Sequence, residues 1–275
     1  MNQKFQYLRA VVFDWAGTTV DHGSLAPAIV FQEIFRRRQI NITPEQAREP
    51  MGRAKRDHIA AIAAMPDVAA AWKKQYGADC SDDDIDAMYA DFLPLQKQTL
   101  ADYCDVIAGA PQMVEWCRDR GLKIGSSTGY TRELMSVVTP AAAAQGYAPD
   151  CVLCSEDAPA GRPAPYLLYE IARQLEVYPL WHVVKVDDTP VGIQAGRNAG
   201  CWTVGVTRTG NGVGLSAEDI ESLSPDERQQ RCAAAAGKLE AAGAHFIVES
   251  VADLQPVLQE IDDRLGRGEL PIGSV

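Results

Sequence analysis

The chain has 275 residues, 47% of them hydrophobic and 23% charged, which allows one or two globular domains whose cores need no staples. Its 26 Lys and Arg stand against 37 Asp and Glu, and the formal charge of -11 excludes the basic footprint that nucleic acid or an anionic membrane surface requires. An anionic small molecule stays open, because a few local cations or a metal ion override the global field. No uncharged apolar run reaches the ~20 residues of a membrane span. The first residues carry no signal-peptide core, so a cytoplasmic protein is expected. Seven cysteines are scattered at 80, 104, 117, 151, 154, 201 and 232, mostly in apolar segments. They read as buried reduced thiols. The lone Cys151-Val152-Leu153-Cys154 lies on a strand-like run without a second pair, and reads as packing before zinc or redox chemistry.

In chain order, the first β-type run is Ala10-Val11-Val12-Phe13, ending at Asp14. From 22 to 100 strand patterns vanish, and amphipathic helices are predicted over Ala26–Arg38, Thr43–Glu49, His58–Ala64, Val68–Gln75 and Ser81–Leu100. A helix near 109–120 precedes the run from Leu122 to Ser127, which ends at Thr128. A helix over 131–145, the run Cys151–Cys154 and a helix over 164–175 follow. The next run, His182 to Val186, ends at Asp187-Asp188. A helix over 190–199, the run Trp202–Val206, a helix over 226–242 and a last strand, His245–Val248, complete the pattern. This alternation predicts an α/β fold with a doubly wound, Rossmann-like parallel sheet and helices on both faces. Its sites belong in the loops beyond the strand carboxyl ends. The core is expected at 1–21 and 101–275, with 22–100 inserted as an all-helical cap domain over the sheet's active edge.

The strand ends carry the chemistry. Asp14 is followed by Trp15-Ala16-Gly17-Thr18-Thr19-Val20-Asp21, and Gly17 permits a tight turn whose main-chain N–H groups can face an anion. Alone, Asp14 reads equally as a reactive group or as a turn cap. Thr128, Arg162 in Ala160-Gly161-Arg162-Pro163, and Asp187-Asp188 shift that balance, because all belong to the same sheet edge. Carboxylates from separate strands suit a hard cation, and Mg²⁺ is the usual choice beside phosphate. A cation also keeps a nucleophilic carboxylate ionised near an anionic substrate. The set fits phosphoryl transfer through an aspartyl-phosphate.

These motifs resemble those of the haloacid dehalogenase superfamily with a helical cap after the first motif. More closely, the chain resembles its phosphonatase family. The segments that carry the likeness are Phe13 to Asp21, Met51-Gly52-Arg53-Ala54-Lys55-Arg56-Asp57-His58, Ser127 to Glu133, Ala160 to Pro163, and Asn198 to Gly205. The Asp-Trp-Ala-Gly-Thr-Thr run, combined with Met-Gly-x-x-Lys, is the specific part. The resemblance implies hydrolysis of the P–C bond of phosphonoacetaldehyde to acetaldehyde and phosphate. It implies Asp14 as nucleophile and Mg²⁺ ligand, with the Ala16 carbonyl and Asp188 as further ligands and Asp187 ligating directly or through water. Thr128 and Arg162 would hold the phosphoryl oxygens, and Lys55 would form a Schiff base with the aldehyde. It also implies a homodimer, formed through the cap.

Two residues bear on the substrate by their chemistry. Related phosphomonoesterases place a second Asp two positions after the nucleophile to protonate a leaving alkoxide, whereas Ala16 donates no proton here. Lys55, conversely, supplies the amine whose protonated imine accepts the electrons of a breaking P–C bond. Such an amine must be partly neutral, so a depressed pKa is expected. Read without the resemblance, Lys55 is an ordinary solvated lysine. His58, three residues on, shares its helix face and reads either as a proton shuttle or as a surface histidine. Tyr130 reads as orienting substrate or as packing, Met51 and Gly52 as shaping the pocket, and Trp15 as packing. In the fourth motif the second acid, Asp187, precedes Asp188, and Gly192 stands where some relatives carry an acid.

The nearest rival is a capped phosphatase or sugar-phosphate mutase. A non-catalytic regulatory protein that binds metal or phosphate is a rival of another class. No GxGxxG follows the first strand and no GxxxxGK[ST] occurs, so dinucleotide and P-loop readings lack support. The cluster Gly210-Asn211-Gly212-Val213-Gly214 has the wrong spacing and context for either.

Overall fold

The computed structural model describes residues 4–271. The expected core segments at 1–21 and 101–275 therefore reach at both ends into residues outside the described ones. The strand β1 (Ala10–Phe13) leads into five helices, α1 (Leu25–Arg37), α2 (Pro44–Arg48), α3 (Lys55–Ala63), α4 (Pro66–Tyr76) and α5 (Asp82–Leu100). The alternation then resumes with α6 (Ala110–Asp119), β2 (Lys123–Ser127), α7 (Arg132–Ala144), β3 (Cys151–Leu153), α8 (Tyr166–Gln174), β4 (Val183–Asp187), α9 (Pro190–Ala199) and β5 (Trp202–Val206). The chain finishes with α10 (Ala217–Ser222), α11 (Pro225–Ala241), β6 (Phe246–Val248) and α12 (Leu254–Gly266).

The strands form one parallel sheet in the order β3-β2-β1-β4-β5-β6. The chain builds outward from β1 to β3, crosses back to β4 and builds outward again. Loops diverge where that order reverses, which leaves a crevice beyond the carboxyl ends of β1 and β4. The register sets what faces it. Phe13 lies opposite Ser126 on one side and Val186 on the other, so Asp14, Ser127-Thr128 and Asp187-Asp188 leave the sheet at one level.

Both faces of the sheet are covered, which is why its strands read as continuous apolar runs. Val11, Phe13, Ile124, Val184, Val186 and Val204 pack with residues of α6, α7 and α12. Ala10, Val12 and Val183 pack on the opposite face with α8 and α9. The five helices after β1 bury a separate cluster that includes Phe31, Phe35, Ile59, Ile62, Trp72, Met88 and Phe92. Their ends follow local signals. Thr43–Gln46 and Ser81–Asp84 form capping boxes, and Gly77 ends α4 in the left-handed region.

The structure departs from the sequence expectation at three helices, one of them the short, unpredicted α10, capped by the Ser216 side chain. α3 begins at Lys55, three residues before the predicted start, because its N-cap is Ala54, which offers no polar capping signal. The unpredicted α12 puts Leu254, Leu258, Ile261 and Leu265 into the main core, a helical spacing already present in the sequence. All seven cysteines are free. Among the described residues no helix is long and apolar enough to cross a membrane.

Candidate active site

Asp14 leaves β1 as a buried residue, with its N–H bonded to Val186 O at 3.0 Å. The following turn is tight, as expected, and from Gly17 onward its N–H groups close on the turn itself. Gly17 N–H bonds Val20 O at 2.8 Å, and the Thr18 and Thr19 N–H groups bond Trp15 O at 3.1 and 2.8 Å. Gly17 therefore keeps its own N–H inside the turn. It serves by having no side chain, since a Cβ there would lie 2.3 Å from Asp188 Oδ2, and its φ of +82° suits glycine. Trp15 is packing, edge-on to Tyr147 with centroids 5.1 Å apart.

Asp14, Asp187 and Asp188 bring carboxylate oxygens within 4.8 Å of one another, all buried. Their partners differ. Asp14 Oδ1 accepts from Arg162 Nη2 at 3.0 Å. Asp187 is saturated: Oδ2 accepts from Arg162 Nη1 at 2.8 Å and Lys185 Nζ at 2.9 Å, and Oδ1 from Thr189 N and Oγ1 at 2.9 and 2.7 Å. Burial opposes ionisation of Asp187, but Lys185 and Arg162 outweigh it and hold its carboxyl below the ordinary range. Among the described residues Asp188 has only neutral donors, Thr18 Oγ1 at 2.9 Å and Asn211 N at 2.7 Å. Burial, and then the charges of Asp14 and Asp187, push its carboxyl well above the ordinary range. A buried carboxylate cluster with one member lacking a cationic partner suits a hard divalent cation, which favours oxygen ligands. Asp14 and Asp188 fit such an ion by their donor chemistry, and Ala16 lines the same cavity as Asp14.

The helical block supplies the other wall. Lys55, only 4% exposed, occupies the first turn of α3 with its amine among three rings: Tyr130 at 4.6 Å, Phe31 at 5.4 Å and Phe92 at 5.9 Å from the centroids. Burial, and then the Arg162 charge, push its ammonium down to about 7 against the pull of Asp14 and Asp21. His58 is fully buried and stacked on Phe31, with centroids 3.7 Å apart. Its Nε2 lies 2.9 Å from Ala47 O, and a carbonyl only accepts, so Nε2 carries the hydrogen. Nδ1 is then a bare acceptor, without a protein partner among the described residues. Burial, and then Lys55, hold the ring well below its ordinary pKa, so it is a neutral base.

Asp14, Ala16, Met51, Lys55, Thr128 and Arg162 line one cavity, together with Gly52 and Tyr130. Thr128 Oγ1 accepts from Tyr130 N at 3.1 Å, and the buried Tyr130 hydroxyl has no protein partner among the described residues. The block presses closely on the core. A Cβ on Gly52 would lie 2.5 Å from Thr189 Oγ1, and one on Gly129 would lie 2.7 Å from Arg53 O. The interior volume is about 20 Å³. That is room for about one water, so a larger ligand enters only if the lining moves.

Of the residues singled out in the sequence, Asp187 and Asp188 join this cavity through the carboxylate group they share with Asp14, His58 sits apart from it behind Phe31, and the structure adds others. Lys185 reads in the sequence as a strand residue. It is fully buried and bonds Ser127 Oγ at 3.2 Å as well as Asp187. A polar residue inside an otherwise apolar buried strand was its available signal. Asp21 is buried with φ +52°, and its carboxylate accepts from Leu25 N and Ala26 N at the start of α1. Burial, partly offset by those two bonds, pushes its carboxyl up to about 7.

Comparison with known proteins agrees with this geometry. The family model of the haloacid dehalogenase-like hydrolases matches residues 8–200. A phosphonoacetaldehyde hydrolase of Paraburkholderia phytofirmans is 48% identical over 97% of this chain and 100% of its own length. Its namesake from Nitratidesulfovibrio vulgaris is 46% identical over 96% and 94%. The crystal structure of a phosphonoacetaldehyde hydrolase like protein from Oleispira antarctica superimposes with a TM-score of 0.95 at 39% identity, covering 98% of each chain.

Proposed function

The chain belongs to the haloacid dehalogenase-like hydrolases, among relatives named phosphonoacetaldehyde hydrolase, and on that footing we propose that it cleaves phosphonoacetaldehyde to acetaldehyde and phosphate. The observation that carries this reading is Lys55, a buried amine with its pKa down to about 7, lining one cavity with Asp14. Near neutrality about half of it is the free base that can attack a carbonyl. An ester phosphatase has no use for such an amine, and Ala16 leaves it without the usual acid for an alkoxide.

The helical block at 22–100 acts as a cap that brings Lys55 to the core. The amine adds to the aldehyde and water is lost, forming a protonated imine. His58 Nδ1 accepts a proton during the addition and returns it as water departs. Tyr130 and Met51 wall the aldehyde, while Arg162 and Thr128 hold phosphoryl oxygens. An Asp14 oxygen attacks phosphorus, the P–C bond breaks, and its electron pair passes into the imine to give an enamine. The enamine is protonated at carbon and hydrolysed, which frees acetaldehyde and Lys55. Water then hydrolyses the aspartyl-phosphate. Mg²⁺ held by Asp14, the Ala16 carbonyl and Asp188 would neutralise phosphoryl charge when bound, with Asp187 acting directly or through water. The protein would work as a cytoplasmic homodimer on a free phosphonate.

Borohydride reduction in the presence of phosphonoacetaldehyde, followed by peptide mass mapping, tests the reading. A reduced adduct on Lys55 is expected, and Lys55→Arg should abolish turnover because a guanidinium forms no imine. Turnover with no adduct would sink the imine route. Phosphate release from sugar phosphates alone would favour the mutase-like rival.

A further inference from the structure

Arg48, the last residue of α2, reaches from the helical block to the core. Its Nη1 donates to Gly23 O at 2.7 Å, Ser24 O at 3.3 Å and Asn211 Oδ1 at 3.1 Å, and its Nη2 to Gly214 O at 3.1 Å. Asn211 answers with Nδ2 donating to Arg48 O at 3.1 Å, so the two residues are joined in both directions. The N–H of the same Asn211 donates to Asp188 Oδ2 at 2.7 Å. One core residue, 9% exposed, therefore grips the helical block with its side chain and a site carboxylate with its backbone.

The glycines around Asn211 fit this arrangement. A Cβ on Gly214 would lie 2.7 Å from Arg48 Nε, and one on Gly210 would lie 2.6 Å from Asp188 Cβ. The Gly210–Gly214 run, which matches no nucleotide motif, is thus shaped by Arg48 on one side and Asp188 on the other. Arg48 also closes the chain reversal at Gly23-Ser24, through which β1 passes into α1. From Arg48 the chain runs through Met51 and Gly52 directly to Lys55.

We propose that Arg48 and Asn211 are positioning residues that clasp the segment 49–55 onto the core and so seat the Lys55 amine over the site. The role assigned to that amine rests on the functional reading above. The cavity in this closed arrangement has room for about one water, so admitting substrate means shifting the wall that the clasp fastens. A forked guanidinium can serve acceptors in several directions at once, and the compact ammonium of a lysine cannot. The clasp is local to the cap edge. Arg162 and Thr128, which hold phosphate in this reading, belong to the core, where Arg162 is held by Asp14 and Asp187.

Hydrogen exchange resolved by mass spectrometry on wild type, Arg48→Lys, Asn211→Ala and the double variant tests this without relying on activity. Each single change should speed exchange of residues 49–55 by about tenfold, and the double variant should exchange no faster than the faster single. In parallel, kcat on phosphonoacetaldehyde should fall by about tenfold or more, while inhibition by inorganic phosphate stays within about twofold. Unchanged exchange at 49–55 in both single variants would overturn the proposal. So would multiplying effects in the double variant, or faster exchange spread through β1 and β4 with weakened phosphate binding, which would mark a general loss of stability. The expected exchange pattern, with no turnover of phosphonoacetaldehyde by wild type, would leave the clasp standing and refute the functional reading.

Discussion

Replacing Lys55 with Met keeps the length of the side chain and removes the amine from its aromatic enclosure. In the unfolded chain that amine titrates at its ordinary value of 10.5, and in the folded protein burial brings it down to about 7. Between those values the unfolded state binds a proton that the folded state does not, so the buried lysine lowers stability. The cost is complete below the folded value and fades as pH rises toward 10.5. At 1.36 kcal/mol per unit, this is about 4 kcal/mol at pH 7 and about 2 kcal/mol at pH 9. Attraction of the charged form to the Tyr130 ring opposes the shift by about 1 kcal/mol, which brings the pH 7 figure to roughly 3–4 kcal/mol. Lys55→Met should therefore be inactive yet more stable by that amount at pH 7, the pattern of an activity held at the expense of the fold. Urea unfolding of both proteins at a series of pH values, without substrate, measures the gap. It should narrow by about 2 kcal/mol between pH 7 and 9. A gap that stays flat or widens over that interval would refute the argument that burial depresses the Lys55 pKa.

Gly52→Ala puts a Cβ 2.5 Å from Thr189 Oγ1 and 2.7 Å from Val191 Cγ2, at a φ of +92°, and should cost about 1–3 kcal/mol in thermal unfolding while raising KM for the aldehyde. Asp21 has its folded pKa raised to about 7, so the stability it favours is complete below its ordinary 3.8 and is lost as pH rises through 7. Asp21→Asn should therefore gain on wild type by up to about 4 kcal/mol between pH 4 and 8 in urea titrations, and a constant difference would contradict this. Ala16→Asp supplies the missing acid and should raise hydrolysis of simple phosphate esters by about tenfold or more, read as phosphate release.

Much of the molecule was legible in one dimension. The strands from Ala10, Val183 and Trp202 announced themselves as short apolar runs, and the endings at Asp14, Thr128 and Asp187-Asp188 pointed to the site. The helical insertion was visible because strand periodicity stops after Asp21. Other features resisted for identifiable reasons. Gly17 was legible as the residue of a tight turn, but only the packed structure shows Val20 O on its N–H and Asp188 against its bare Cα. His58 had two readings, and its burial against Phe31 removes only the surface one. Lys185 was hidden in an apolar strand pattern because its partners, Asp187 and Ser127, are assembled by the sheet. The Gly210–Gly214 run made no sense until Arg48 lay across it.

What the sequence determined by itself was the alternation that builds the sheet, the place of the helical insertion and the residue types at the strand tips. Periodicity and motif spacing are local, and survive reading along the chain. Tertiary structure alone decided which charges meet and which lose their water. Lys55 is driven toward neutrality by burial and by Arg162, and Asp188 is left short of a cation beside Asp14 and Asp187. Ionisation depends on solvent exclusion and on neighbours far apart in sequence, so folding creates it.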